Sequence, residues 1–550
     1  MTGETRRVRA RARRVAGQVG TAFALLLLWV VLVAPAPTLG WSATPLALAR
    51  LPIEGVFLVA ALLVLRGTAR RWLAVVVGVT LGALLAVRAL DAAFLSTLYR
   101  PFNALTDWRY LGSGRDLVGD SVGPVAAVLA LAALGLVLVG LLVLTPWAVL
   151  RVGRLLDRHR TPAWWAIGGS AVVWLVCAPL GVSVARDLPL ASASTAGLAA
   201  HEVTTVQASL RDRDAFAAQI PVDAFDDAKP TELLRSLRGK DVVVVFVESY
   251  GRVAVEQSPD VASALEAGTS SLHAAGYSTR SAWLTSPTFG GISWLAHSTL
   301  QSGLWVSSQQ RYDQLLDTRR LTLARAFSRA GWRTVDVIPA NRHDWPEGRA
   351  FYDYDQVYDA RTLGYRGPGY GYAPMPDQYT LSAFDRLELA PRGRAPVMAE
   401  IDLVTSHVPW APLPRLVDWS TIGDGSVFLA QAGKATPRDV VWSSTARIRT
   451  AYGQSVAYSL ASVVSFLRGT HGDDLVVLVL GDHQPVSVVS GEGASHDVPV
   501  SIVTRDRAVL DRIHGWGWQD GLRPAPNAPT WPMDRFRDRF LTAYGSGVGG

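Results

Sequence analysis

The longest uncharged runs of the sequence lie in its first third, and they constrain the fold more than any other feature. Residues 121–150 and 161–185 contain no charged side chain over 30 and 25 positions, and residues 15–49 contain none either. A transmembrane helix needs about 20 predominantly apolar residues in succession. Charged residues make up only 18% of the chain, whereas soluble proteins carry about 25%. The sequence therefore predicts a multi-pass α-helical membrane domain over residues 1–183.

We predict five membrane-spanning helices in this domain. The second is the weakest, because it contains Arg50 and Glu54, and losing it alone would reverse the predicted orientation. Arginines concentrate in the N-terminal tail and in the loops 66–71 and 151–160, and basic loops stay on the cytoplasmic side of a membrane. With five spans, everything after residue 185 lies outside the cell membrane. The predicted spans are 20–36, 46–65, 72–90, 123–150 and 163–183.

The chain changes character at residue 241. Residues 184–240 predict an extracytoplasmic stalk, and residues 506–550 predict a peripheral C-terminal tail. Between them, short apolar runs alternate with amphipathic segments, which is typical of an α/β fold. A run as apolar as DVVVVFV at 241–247 indicates a strand covered on both faces, in a mostly parallel sheet. The other predicted strands are 333–338, 397–403, 474–481 and 498–503, and the predicted helices are 258–275, 293–302, 321–331, 376–389 and 443–468.

Chemically active side chains follow two of these strands. Glu248 comes directly after the strand 241–247, and Asp482 and His483 follow the strand 474–481. The working residues of a parallel sheet lie just past the carboxyl ends of its strands, so we expect these three side chains to converge. Carboxylate and imidazole ligands suit Mn²⁺, Zn²⁺ or Mg²⁺ and do not choose between them. The alternative is that Glu248 and Asp482 cap the helices that follow.

The order of these motifs resembles that of the alkaline phosphatase/sulfatase superfamily. The motifs are VESYG at 247–251, a small-residue turn before a helix, GDHQP at 481–485 and a later His-Asp pair at 496–497. Five N-terminal spans followed by an outward domain resemble its lipoteichoic acid synthase and phosphoglycerol transferase branch. The resemblance implies a sulfatase-like catalytic domain over residues 241–505.

The resemblance also implies a metal-bound nucleophile at the start of a helix, ten residues before a glycine. Counting back from Gly303 gives Ser293, where relatives usually carry threonine, and Thr288 and Ser286 are the fallback candidates. A dication and a helix N-terminus would both activate such a hydroxyl. The alternative is a plain N-cap serine. Ser293 lacks the following x-Pro-x-Arg that sulfatases need, which argues against a true sulfatase. The implied metal ligands are Glu248, Ser293, Asp482 and His483.

Two histidines are implied as substrate contacts. His407, in LVTSHVPW, resembles the histidine that holds the substrate phosphoryl group, and it could donate a proton to the leaving alcohol. The alternative is a loop histidine with a local hydrogen bond. His496 lies 13 residues after His483, where a similarly placed histidine lines the site in phosphoethanolamine-transferring relatives.

A tryptophan and an arginine complete the implied head-group contacts. Trp345 approximately matches the tryptophan that holds the head group in glycerolphosphate-transferring relatives. The arginine of that pattern is displaced here, with Arg349 or Arg342 available. His297, four residues after the predicted nucleophile, replaces an acidic residue common in relatives, and it either tunes the site or packs.

The sequence thus predicts a metal-dependent transferase in the cell membrane with an extracytoplasmic catalytic domain. Ser293 would attack a membrane phospholipid and pass a phospho-alcohol head group, phosphoglycerol or similar, to a cell-envelope glycan or glycolipid. One divalent metal is expected, Mn²⁺ or Zn²⁺ with Mg²⁺ as a further alternative, and a second metal is left open. The alternatives are a phosphatase or phosphodiesterase, with a sulfuric ester hydrolase less favoured, and a non-catalytic membrane binding protein. The net charge of +7 lies largely beside the apolar runs, so no nucleic-acid partner is expected.

Overall fold

The computed structural model describes residues 3–34, 45–98, 100–109, 124–185, 188–469 and 472–546. These form two compact units, residues 1–96 with 100–211 and residues 97–99 with 212–550. A few positions within predicted elements lie outside the described residues, namely 35–36, 123, 186–187, 470–471 and 547–550.

The first unit is built mainly from α-helices. Leu and Ala, both strong helix formers, dominate their sequences. Side chains such as Ala24, Leu62, Leu81 and Val149 bring helices of this unit together in a small apolar core. Its helices are α1 (Gly3–Val33), α2 (Ile53–Val64), α3 (Gly67–Leu98), α4 (Pro124–Arg158), α5 (Arg160–Cys177) and most of α6 (Ser194–Gln219).

Three helical segments of the described residues are long and apolar enough to cross a membrane: Arg11–Val33, Gly67–Leu95 and Val128–Arg158. They overlap the first, third and fourth predicted spans. The second predicted span contains α2, whose 12 residues reach only about 18 Å, against a hydrocarbon core about 30 Å thick. The fifth overlaps α5, which has 18 residues and ends at Cys177. The count of five spans is not confirmed, and the orientation that depends on it stays a prediction.

The second unit is an α/β domain around a nine-stranded sheet. Five strands run parallel in the order β6-β1-β5-β3-β4, whereas β7 is antiparallel to both β6 and β2. The strands are β1 (Asp241–Val247), β2 (Ser278–Thr285), β3 (Arg333–Ile338), β4 (Gln356–Asp359), β5 (Val397–Leu403), β6 (Leu475–Gly481), β7 (Asp497–Thr504), β8 (Gln519–Asp520) and β9 (Thr530–Pro532). The predicted fold class, helices followed by an α/β domain with a mostly parallel sheet, is confirmed.

Helices and loops cover both faces of the central strands. Every residue from Val242 to Val247 is buried, and successive side chains of a strand point to opposite faces, so β1 is enclosed on both sides. The helices are α7 (Arg252–Gln257), α8 (Pro259–Ala274), α9 (Ser293–Ser302), α10 (Gln309–Leu316), α11 (Leu323–Arg329), α12 (Pro346–Tyr352), α13 (Asp377–Phe384), α14 (Leu429–Ala432), α15 (Arg438–Val441), α16 (Thr445–Leu467), α17 (Ser487–Ser490), α18 (Arg507–Asp511) and α19 (Arg535–Tyr544).

The C-terminal segment differs from the peripheral tail that we expected. β8 and β9 both pair with β2, and aromatic side chains of α19 are buried. Arg537 of α19 is fully buried, and it donates to both carboxylate oxygens of Asp223 at 2.8 and 3.0 Å. Apolar burial and this enclosed ion pair make the segment part of the domain.

Gly303, at the end of α9, offers a test of this packing. Its φ is 65°, and a Cβ there would lie 2.7 Å from Nε of Arg537. Gly303→Ala should combine the strain of a left-handed non-glycine residue, about 1–2 kcal/mol, with displacement of Arg537. Gly276→Ala is the matched control, because φ is 86° and no atom lies within 4 Å of the added Cβ. We expect the thermal unfolding midpoint of the full chain to fall clearly more for Gly303→Ala. Equal decreases in the unfolding midpoint of the two variants would show that Arg537 can move aside without loss of stability.

Candidate catalytic site

Two neighbouring parallel strands bring the predicted carboxylates together. Val247 at the end of β1 is paired with Gly481 at the end of β6, so Glu248 and Asp482 leave the sheet side by side. The two loops approach so closely that a Cβ on Gly481 would lie 1.9 Å from the carbonyl oxygen of Tyr250. Only glycine fits there, and the separation of the two loops is therefore fixed by backbone contact.

Left-handed backbone conformations flank the site. Ser249 and Ile292 have φ values of 55° and 65°, which are uncommon for non-glycine residues and rarest for β-branched ones. Ser249 turns the chain directly after Glu248, and Ile292 turns it directly before Ser293, the first residue of α9. Strained backbone of this kind concentrates at functional sites.

The hydroxyl of Ser293 lies among the three strand-end side chains. Its Oγ donates to Glu248 Oε2 at 3.0 Å and lies 3.2 Å from His483 Nε2. His483 Nε2 also lies 3.5 Å from Glu248 Oε1 and 3.3 Å from Asp482 Oδ2. One ligand atom from each of Glu248, Asp482 and His483 is within 4.8 Å of the others. These three are buried and Ser293 is half-buried, so the hydroxyl is the accessible member of the group.

Hydrogen bonds from the same loops hold the ligands in place. Ser249 Oγ donates to Glu248 Oε1 at 2.7 Å. Asp482 Oδ1 accepts from the backbone N–H groups of Ser249 and His483, both at 2.7 Å. His483 Nδ1 lies 2.8 Å from the carbonyl oxygen of Gln484, so Nδ1 carries the proton and Nε2 is left with its lone pair.

Glu248, Asp482 and Ser293 do not act as helix caps, which was the alternative interpretation of each. The helices that follow the two strand ends, α7 and α17, begin without a side-chain cap. The residue before α9 is Ile292, again without a side-chain cap, and Ser293 uses its hydroxyl toward Glu248 and His483.

The charges of this cluster favour a cation. Burial by itself raises the pKa of Glu248. The nearby His483 and His407 and two serine hydroxyls have the larger opposite effect, and the pKa falls to about 2. Burial and the charge of Glu248 raise the pKa of Asp482 to about 6. Two buried carboxylates thus face one imidazole, and a divalent cation would neutralise the excess negative charge. Carboxylate and hydroxyl oxygens with an imidazole nitrogen form a set that fits Mn²⁺ or Zn²⁺.

The fallback nucleophiles have structural partners. Ser286 Oγ donates to the carbonyl oxygen of Asp482 at 2.6 Å, and Thr288 Oγ1 donates to that of Gly291 at 2.6 Å. Both hydroxyls shape the turn before α9, and the geometry favours Ser293 over either of them.

His407 lies near the cluster. Burial lowers its pKa, and the charge of Glu248 partly offsets this effect. Its Nδ1 lies 2.6 Å from the carbonyl oxygen of Val408, and its ring stacks on Tyr372 with centroids 3.7 Å apart. The local hydrogen bond of the loop alternative is therefore present, and it fixes the ring beside Glu248.

His496 is exposed and contacts the turn before α9. Its Nδ1 lies 3.2 Å from the carbonyl oxygen of Ser286, and its ring centroid lies 5.2 Å from that of Phe289. A role in binding substrate stays a prediction.

Trp345 and Arg349 belong to α12 and its flanking loops. The Trp345 ring packs against Tyr352 with centroids 5.8 Å apart. Arg349 is exposed, and its guanidinium donates to the carbonyl oxygens of Tyr354 and Asp355 at 3.3 and 2.6 Å. Within the part of the chain that the structure describes, no hydrogen bond links either residue to the Ser293 cluster. Their predicted contact with substrate is untested.

The sequence did not point to the residues that anchor the loop after β5. Ser406 Oγ donates to the carbonyl oxygen of Glu248 at 2.6 Å. Asp377, at the start of α13, accepts from the Thr405 N–H at 3.0 Å and from Ser459 Oγ at 2.5 Å. These bonds hold His407 next to Glu248. No local pattern marks Asp377, because its partners are distant in sequence.

Comparisons with known proteins found similarity only among solved structures; no family model matches the chain, and neither does any curated protein. The lipooligosaccharide phosphoethanolamine transferase EptA of Neisseria meningitidis is 14% identical, with 95% of both chains covered and a TM-score of 0.48. The lipoteichoic acid synthase LtaP of Listeria monocytogenes is 14% identical, with 62% of this chain and 78% of that chain covered and a TM-score of 0.39.

A third structure is the phosphoglycerol transferase GacH of Streptococcus pyogenes in complex with sn-glycerol-1-phosphate. It is 11% identical, with 60% of this chain and 90% of that chain covered and a TM-score of 0.35. At these identities, substrate and mechanism do not follow from the neighbours.

The buried carboxyl of Asp377 predicts a pH-dependent stability. Burial raises its pKa from 3.8 to about 6, although hydrogen bonds from Ser459 and Thr405 lower it. The folded state therefore holds this proton more tightly than the unfolded state, and the stabilisation is lost as pH rises from about 4 through about 6. We expect the stability of the wild type relative to Asp377→Asn to fall by about 3 kcal/mol between about pH 4 and pH 7.

Urea unfolding of the full chain at both pH values measures this difference. Asp317→Asn, at an exposed position, is the control for replacing a carboxylate, and its difference from the wild type should be much less pH-dependent. A difference for Asp377→Asn that is the same at both pH values would contradict the assignment.

Proposed function

We propose that this chain is a membrane-anchored, metal-dependent transferase that moves a phospho-alcohol head group from a membrane phospholipid to a cell-envelope glycan or glycolipid. The observation that carries the proposal is the accessible Ser293 hydroxyl at the start of α9, 3.0 Å from Glu248 Oε2 and 3.2 Å from His483 Nε2. The apolar helices of the first unit support a lipid donor, because they would keep the enzyme in the bilayer where that donor resides. The catalytic unit is assigned to the extracytoplasmic side.

Four residues would hold the cation: Glu248, Ser293, Asp482 and His483. Bound there, Mn²⁺ or Zn²⁺, with Mg²⁺ as the further alternative, would lower the pKa of a coordinated hydroxyl and stabilise charge on the phosphoryl oxygens. The buried backbone bonds to Asp482 and the Gln484 carbonyl at His483 keep these ligands oriented, as partners behind metal ligands do.

In the first step, Ser293 Oγ attacks the phosphorus of the lipid phosphodiester. The bond from Oγ to phosphorus forms, and the bond from phosphorus to the diacylglycerol oxygen breaks. The proton that Ser293 loses balances the proton that the diacylglycerol oxygen takes up, and we assign His407 as the group that donates the latter. The N-terminus of α9, which begins at Ser293, would favour the negative charge of a phosphoryl group bound there.

In the second step, an acceptor hydroxyl attacks the phosphoserine. Its oxygen bonds to phosphorus, the bond to Ser293 Oγ breaks, and the acceptor proton restores the serine hydroxyl. We assign His496, Trp345 and Arg349 to contacts with the head group, and phosphoglycerol is the head group that we favour.

A covalent adduct on Ser293 is the direct test. Full-length protein incubated with Mn²⁺ or Zn²⁺ and total membrane lipids, without acceptor, should carry a phospho-alcohol mass on the peptide that contains Ser293. The adduct should be absent in Ser293→Ala and present in Ser293→Thr, because threonine keeps a hydroxyl at the same position. Peptide mass spectrometry identifies both the site and the head group.

Thr288→Ala is the matched control, since Thr288 contacts Gly291 in the preceding turn, and it should keep the adduct. An adduct on another residue would contradict the assignment of the nucleophile. Release of free phospho-alcohol at the same rate with and without an acceptor would identify a hydrolase instead.

Removing a proposed metal ligand should abolish turnover. We expect Asp482→Asn to lower diacylglycerol release from phospholipid vesicles by at least about 100-fold, because the charge that stabilises the transition state is lost. A chelator should have the same effect on the wild type, and added Mn²⁺ or Zn²⁺ should reverse it. Asp317→Asn should behave like the wild type. Full turnover in Asp482→Asn would exclude this cluster as the metal site.

A further inference from the structure

A second cluster of ligating side chains lies on the same face of the sheet as Glu248. Glu400 and Asp402 are two residues apart on β5 and therefore share a face. Asp402 is paired with Phe246 of β1, and Phe246 precedes Glu248 by two residues, so both clusters use one face. His297 of α9 covers this position, with its ring stacked on Phe246 at a centroid distance of 3.8 Å.

The spacing of the ligand atoms is compatible with a metal site. His297 Nδ1 lies 3.1 Å from Glu400 Oε1 and 3.5 Å from Asp402 Oδ1, and one ligand atom from each residue lies within 4.8 Å of the others. Four-coordinate Zn²⁺ with bonds of about 2.0–2.2 Å places neighbouring ligand atoms about 3.4 Å apart. One imidazole and two carboxylates are also a common ligand set for this ion.

Surrounding contacts hold the ligands while leaving oxygens directed at His297. Glu400 Oε2 accepts hydrogen bonds from Tyr354 Oη at 3.2 Å and from Gln301 Nε2, so Glu400 Oε1 is the oxygen turned toward the imidazole. The buried Oδ1 of Asp402 has no hydrogen-bond partner among the described residues. A buried carboxylate oxygen that accepts no hydrogen bond is costly, and a cation bound between it and His297, 3.5 Å away, would satisfy it.

The charge of the cluster points the same way. Asp336 of β3 is buried and paired with Glu400, so a third carboxyl group lies on the strand next to the two that face His297. A divalent cation bound by His297, Glu400 and Asp402 would balance the charges of its two carboxylate ligands.

We propose that His297, Glu400 and Asp402 bind a second divalent cation. The combination of one nitrogen and two oxygen ligands favours Zn²⁺. This site is distinct from the Ser293 cluster, and it does not rest on the proposed function. Because His297 lies one turn after Ser293 on α9, the cation would tie the helix that carries the accessible hydroxyl to β5 of the sheet.

Metal content of the full-length chain in detergent tests the proposal. A Glu248→Gln/Asp482→Asn double variant removes the first cluster, so neither activity nor a serine adduct enters the measurement. After chelation, incubation with Zn²⁺ alone and desalting, this variant should retain one zinc per chain by mass spectrometry. Adding Asp402→Asn should weaken zinc binding at least tenfold, whereas adding the exposed Asp317→Asn should leave it unchanged.

Thermal unfolding provides the second readout. Zn²⁺ should raise the unfolding temperature of the double variant, and Asp402→Asn should remove this increase. If Asp402→Asn also lowers the unfolding temperature of the metal-free chain, the experiment is repeated with Glu400→Gln. A glutamine at this position can still form hydrogen bonds with Tyr354 and Gln301. The proposal would be overturned if the double variant failed to retain zinc, or if neither substitution reduced the zinc retained. His297, Glu400 and Asp402 would then be an ion-paired cluster without metal.

Discussion

The fixed proximity of Glu248 and Asp482, at the ends of β1 and β6, is the constraint on which the rest of the site depends. β1 and β6 are adjacent and parallel, and the contact between Gly481 and the Tyr250 carbonyl allows no side chain between their loops. Glu248 and Asp482 are therefore buried together. Two carboxylates in a buried place repel each other unless positive charge or protons balance them. A divalent cation bound with His483 would supply that positive charge, which defines the site as one for a cation.

Helix α9 connects this electrostatic arrangement to chemistry. It begins at Ser293 after a left-handed Ile292, which directs the hydroxyl toward Glu248 and His483. One turn later, His297 meets Glu400 and Asp402 on the sheet. The helix thus carries a polar group to each of two carboxylate pairs, and its end is held at Gly303 against the buried Arg537. Polar contacts at Ser293 and His297 and the close approach of Arg537 at Gly303 together decide its position.

Much of the fold could be predicted because its signals are local. The strands at 241–247, 333–338 and 397–403 occur at the predicted residues, since short segments rich in apolar residues can be recognised without knowing which strands they pair with. β2 and β4 went unpredicted, because STRSAWLT and QVYD lack such a run and pair near the sheet edges. The second span was overestimated: the helix in that run begins only after Pro52 and is 12 residues long, and proline favours a helix start.

The sequence by itself determined which side chains stand at strand ends and at the start of α9, because a position relative to its own strand or helix is a local property. On that basis, Glu248, Asp482, His483 and Ser293 could be predicted as site residues from the sequence. Tertiary structure alone decided their distances, the anchoring by Asp377 and Ser406, the inclusion of residues 506–546 in the domain, and the cluster of His297, Glu400 and Asp402. Those features depend on which strands become neighbours and which helix covers them, and pairing between residues a hundred positions apart is set by packing of the whole domain.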